Sequence, residues 1–358
     1  MTSLTVCRGV IAASFGTVEI PGPMTPVFLE GAPGGGKSQV PKDFARDMGI
    51  GFVFMPCSTL RPEDLSVPDV LGEGHTYDYK IFKNLPVVGN DHLPDRGILC
   101  ADELSQDQMG DVQKFFGQLS PPNSAAGTHK MKPGWLIVAT GNRREDKSGA
   151  GKLLGHMLDR FILLTDVEPT LKEWVNYSLN SGDFHEMVIA FHQQSEGRYL
   201  NNFDPSNPAR KTPTFRGWST LARYLDKGLS PKVIGHIGMG IVGEAAAAQF
   251  QAFLSLASEL PDPDYVLESV ESAEAFDIPN TIAKRWFLCS AIGRKASADN
   301  ANAVMVALNR LTGGGHEDML VASLITARDF GQGFSRSEQF RDAVLSGVFD
   351  SLSDSMGI

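Results

Sequence analysis

"FLEGAPGGGKSQV", residues 28–40, sets four glycines and a lysine directly behind an apolar run. Gly31, Ala32, Pro33, Gly34, Gly35, Gly36, Lys37 and Ser38 fit G-x-x-x-x-G-K-[ST] without mismatch. Glycines let backbone N–H groups curl around phosphate oxygens at close range. In such a cradle Lys37 reaches the β and γ oxygens, Ser38 contributes a hydroxyl to Mg²⁺, and Gln39 is the next residue of the nucleotide-binding set. The loop belongs between a strand and a helix of an α/β sheet, and the flanking sequence reads that way. Pro41 falls early in that helix, where its missing N–H predicts a local kink. Gly313 to His316, glycine-rich as well, has no following Lys and no preceding strand, and reads as a plain turn.

Outward from the loop, short apolar segments recur: "TPVFLEG" (25–31), "GFVFMPC" (51–57), "GILCADE" (97–103), "WLIVATGN" (135–142) and "RFILLTDV" (160–167). Continuous apolar runs of this length, bounded by Gly and Pro, predict buried parallel strands. Carboxyl ends of such strands are where ligands of open α/β sheets gather. "GILCADEL" ends on Asp102, which suits a metal's water shell, and Glu103, which suits polarising an attacking water. Asn142 closes "WLIVATGN" and is placed to orient that water, with a turn-forming asparagine as the plainer reading.

The strand signal stops near Pro169. "TLKEWVNYSLNSG" starts with Thr170 and Glu173 in capping-box spacing and predicts a helix ending at Gly182. A Pro-, Asn- and Gly-rich loop over 197–217 leads to helical "WSTLARYLDKG", and a further helix is predicted over 244–260. The acidic stretch 261–279 reads as a partly ordered connection to a last helical segment. His185 and His192, seven apart, and Trp174, Trp218 and Trp286 read as ordinary structural residues.

With 358 residues, 42% of them apolar, the chain can bury a sizeable core in two or three domains. A formal charge of −10 disfavours nucleic acid as the default partner. Four widely spaced cysteines fit reduced thiols rather than a disulfide framework or zinc site. No leader-like segment and no run of membrane-span length is seen, so the expected location is the cytoplasm, with no membrane partner.

With these parts in order, the chain resembles the AAA+ ATPases, and within them the MoxR-like branch. The resemblance rests on Gly31 to Ser38 (Walker A), "ILCADE" (Walker B), "VATGNRRED" (sensor-one region), "LDRFILLTDVEP" (158–169) and "PTFRGWSTL" (213–221), and covers about residues 25–260. "RPEDLSVPDVLGEG" (61–74) is similar to the insert that MoxR-like proteins carry ahead of Walker B. The resemblance implies a P-loop NTPase parallel sheet flanked by helices over 1–168, an α-helical lid over 169–260 and a helical C-terminal extension over 261–358. It implies ATP with Mg²⁺, hydrolysed at subunit interfaces of a ring, commonly a hexamer. The ring would remodel or activate a protein client, often beside a partner with a von Willebrand factor A domain. Arg160, in "LDRF", matches the arginine finger; Arg216, in "PTFRGW", matches sensor two. Arg143 and Phe215 stand where the family commonly has proline, which leaves Arg143 and Arg144 as rival fingers. A nucleic-acid motor on the same core and a nucleotide-gated scaffold are the alternatives.

Overall fold

The computed structural model describes residues 1–349 apart from 18–19, 21, 72–73, 75, 108, 123, 144–145, 147–152, 182–184, 205–209, 226, 256–259 and 314. The chain divides into two compact units, Met1–Thr170 and Leu171–Ile358.

The strands of the first unit are β1 (Val27–Gly31), β2 (Gly51–Pro56), β3 (Ser66–Leu71), β4 (Thr76–Ile81), β5 (Arg96–Asp102), β6 (Ala125–Ala126), β7 (His129–Lys130), β8 (Gly134–Asn142) and β9 (Ile162–Leu164). Its helices are α1 (Leu4–Phe15), α2 (Gln39–Asp47), α3 (Pro62–Leu65), α4 (Asp111–Leu119) and α5 (Gly155–Leu158). Five strands form one parallel sheet in the order β2-β5-β8-β1-β9. Both faces are covered, which is why these strands are apolar throughout rather than alternating. Phe28, Val53, Leu99, Ile137 and Ala139 face a core that includes Val112, Phe116 and Leu119 of α4. Val27, Leu29, Ile98, Leu136 and Val138 face the opposite core, with Ile11 and Phe15 of α1 and Val40 and Phe44 of α2. Trp135 lies across the sheet so closely that a β-carbon on Gly97 would stand 2.6 Å from its ring.

All five predicted strands are present, although "RFILLTDV" shortens to three residues. Beyond Leu164 the chain leaves the sheet: Asp166 turns it at φ 52° and Val167 bridges in parallel to Thr2. Pro41 does not interrupt the helix: α2 begins at Gln39 and runs as one helix to Asp47. Pro41 is therefore its third residue, where an N–H has no intrahelical acceptor to lose. Within the insert-like stretch 61–74, α3 is followed by β3, which pairs antiparallel with β4.

The second unit consists of helices: α6 (Leu171–Ser181), α7 (Glu186–Gln194), α8 (Phe215–Leu225), α9 (Pro231–Val242), α10 (Glu244–Ser255), α11 (Pro263–Glu271), α12 (Ile282–Arg294), α13 (Ala301–Thr312), α14 (Glu317–Phe330) and α15 (Glu338–Leu345). One hydrophobic cluster runs from Trp174 to Ala343, and residue 260 falls inside its span. Trp218 and Trp286 are fully buried in it. The helix expected over 244–260 is described to Ser255, and 256–259 lie outside the described residues. The acidic stretch 261–279 is more ordered than a connection: Pro263 opens α11, and the Asp262 side chain caps it by accepting from Asp264 N. Val266 and Leu267 then pin that helix to the cluster. His185 caps α7 by accepting from Met187 N, whereas His192 lies within the helix, so the two histidines do not share a role. None of the four cysteines is in a disulfide, and all four are buried. Among the described residues no helix is long and apolar enough to cross a membrane.

Candidate functional site

The glycine loop leaves β1 at Gly31 because only a residue without a side chain fits there: a β-carbon would stand 2.2 Å from Val167 O. Gly34 and Gly36 have φ of 79° and 81°, the left-handed region that glycine enters without steric cost. The loop closes on itself through Lys37, whose buried Nζ donates to Gly31 O (3.0 Å), Ala32 O (2.8 Å) and Asn142 Oδ1 (3.1 Å). Ser38 stands at the N-cap of α2 without making the usual cap bond. Its hydroxyl donates instead to Asp102 Oδ1. Gln39 turns along the helix and donates to Asp43 Oδ1 at 3.0 Å.

Asp102 ends β5, Asn142 ends β8 and Gly31 ends β1, and these three strands are adjacent. The β1–β8 register sets Gly31 opposite Asn142. Asp102 Oδ1 accepts a second hydroxyl, Thr140 Oγ1, at 2.7 Å. That same hydroxyl accepts from Glu103 N at 3.0 Å. Glu103 has φ 56°, a left-handed backbone unusual for a residue with a side chain. Beside this group Cys57 N donates to Asp102 O at 2.8 Å. Burial pushes the Cys57 thiol up, reinforced by the negative charges of Asp102, Asp107 and Glu103. The structure thus brings together the whole loop, Asp102, Glu103 and Asn142.

Arg160 stands at the other end of the sheet. Arg160 precedes β9 at the strand's amino end, where Ile162 N donates to Pro26 O. Gly31 lies beyond the full length of β1, roughly 13 Å away at about 3.3 Å per residue. The Arg160 guanidinium donates to Gly117 O, one of the last carbonyls of α4. Arg143 is bound to Asp146 at 3.0 Å and to Asp166 at 3.4 Å. Arg144 lies outside the described residues. Arg216 is the second residue of α8 in the other unit and is exposed.

Thr140 was not among the residues picked from the sequence. A polar residue directly behind the apolar "WLIVA" run was the available signal, and Thr is common enough in strands to hide it. Strand pleating puts Thr140 on the same face as Asn142.

The donor set fits a magnesium nucleotide. A buried ammonium and left-handed glycines suit phosphate oxygens, and the Ser38 hydroxyl with one carboxylate suits a hard cation. Mg²⁺ keeps waters and shares phosphate oxygens, so it needs few protein ligands. No protein-family model matches the chain, and no curated protein matches it.

Proposed function

We propose that the chain is a Mg²⁺-dependent ATPase similar to the MoxR-like branch of the AAA+ proteins. The convergence of Lys37, Ser38, Asp102 and Asn142 at three adjacent strand ends carries this reading, above all the 3.1 Å bond between Lys37 and Asn142. Bound ATP and Mg²⁺ would supply the anhydride to be cleaved and the cation that neutralises its oxygens. Gly31 to Gln39 would cradle the phosphates, with Lys37 on the β and γ oxygens. Ser38 and Asp102 would hold the cation. The Glu103 carboxylate would accept a proton from a water that the Asn142 amide orients.

Sheet, lid (169–260) and extension (261–358) are the divisions of this reading, and Arg160 from a neighbouring subunit and Arg216 from the lid complete the charge at the γ-phosphate. The assembly is a ring, a hexamer by family resemblance, acting in the cytoplasm on a protein client such as one with a von Willebrand factor A domain.

Phosphate release from ATP is the test, with particle images taken with and without ATP. Mg²⁺-dependent turnover and closed rings are expected, and Lys37→Ala should lose binding of a fluorescent ATP analogue. Unchanged binding in a folded Lys37→Ala variant overturns the site. Rings without turnover favour the nucleotide-gated scaffold, and turnover stimulated by DNA or RNA in a salt-dependent way favours the nucleic-acid motor.

A further inference from the structure

One hydroxyl joins the two acidic residues of the site. Thr140 Oγ1 gives its single proton to Asp102 Oδ1 at 2.7 Å and takes the Glu103 N–H on a lone pair at 3.0 Å. Thr140 is 1% exposed, so bulk water does not compete for either bond. The β5–β8 register pairs Ala101 with Ala139, which sets the next residues of the two strands, Asp102 and Thr140, side by side. Glu103 needs a tether more than its neighbours do, because its φ of 56° is sparsely populated by residues with a β-carbon. The bond from Glu103 N is directed at the turn where that conformation occurs.

We propose that Thr140 is a positioning residue that fixes the Asp102 carboxylate and the Glu103 backbone in one arrangement, coupling cation binding to water activation through a single oxygen. The proposal rests on the ATPase reading above. It assigns the effect to the hydroxyl and none of it to the methyl. Asp102 would be aimed by Thr140 whichever partner Ser38 serves, and Glu103 would keep its carboxylate at a constant offset from Asp102.

Two pairs of variants isolate the hydroxyl: wild type against Thr140→Val, and Thr140→Ser against Thr140→Ala, the second pair lacking the methyl throughout. Amide hydrogen exchange at Glu103, read on the full chain without nucleotide, should rise about tenfold in Thr140→Val and Thr140→Ala and stay near wild type in Thr140→Ser. Mn²⁺ affinity in the presence of ADP should fall about tenfold or more in the same two variants, as for other partners that orient a metal ligand. For ATP turnover, kcat should fall with KM unchanged. Wild-type exchange and Mn²⁺ affinity in Thr140→Val overturn the proposal. So does Thr140→Ser behaving like Thr140→Ala, or faster exchange spread over β5 and β8 alike, which would mark a packing role. A wild-type chain that hydrolyses no ATP overturns the ATPase reading, while the exchange data still decide the tether.

Discussion

At Glu103 the backbone is twisted into the left-handed region to carry a carboxylate. A non-glycine residue there costs on the order of 1 kcal/mol. Glu103→Gly should therefore raise unfolding stability by about 1 kcal/mol while abolishing ATP turnover, the trade expected where strain serves a site. Urea titration beside a phosphate-release assay measures both. A stability loss would mean that the Glu103 side chain supports the fold. Lys37 and Ser38 were legible in the sequence because the glycine-rich motif fixes the residue type at those two positions, and Asp102 because it is the acidic residue that closes an apolar run. Thr140 was illegible for the opposite reason: its importance lies in two hydrogen bonds of one oxygen, which spacing alone does not encode.

At the scale of elements, strand positions were readable because a sheet buried on both faces demands unbroken apolar runs, and "FVFM", "ILCA" and "WLIVAT" supply them. β9 was overextended because Val167, the last apolar residue of "RFILLTDV", bridges to Thr2 after Asp166 has turned the chain. Charge hid α11, whose Asp-Pro start is a helix signal that the acidic composition outweighed. In the helical unit, α7 seats His192 against Trp174 and Trp218, with ring centroids 5.2 and 4.4 Å away. Neither ring nitrogen has a hydrogen-bond partner among the described residues, and burial lowers the pKa from 6.5 to about 3. The neutral ring is the folded form, so its contribution is complete above about pH 6.5 and drains as pH falls toward 3, by about 1.4 kcal/mol per unit. His192→Leu removes that titration. Its urea midpoint, compared with wild type, should gain steadily between pH 6 and 4. Parallel curves for the two proteins would mean that the ring reaches water or an acceptor in solution.

For the whole molecule, Arg160 poses a choice between a finger offered to a neighbour and a cap on α4 through Gly117 O. Arg160→Ala should bind ATP yet turn it over on the order of a thousandfold more slowly if it is the finger. Mixing decides where it acts. An Arg160→Ala subunit keeps an intact Glu103, and a Glu103→Gln subunit keeps an intact Arg160, so mixed rings regain some complete interfaces. Activity above either variant alone is expected. Activity at the level of the separate proteins, despite proven exchange of subunits, assigns Arg160 to the cap and moves the finger to Arg143 or Arg144. Any optical readout of these proteins meets an uneven distribution of chromophores. Trp135 packs against Gly51 and Gly97 of the parallel sheet, whereas Trp174, Trp218 and Trp286 all belong to the helical cluster. Intrinsic fluorescence of the intact chain will consequently be dominated by the half without the glycine loop. The spectrum of wild type minus that of Trp135→Phe isolates the light emitted from the sheet, and it comes from the second residue of β8, the end of that strand opposite Asn142.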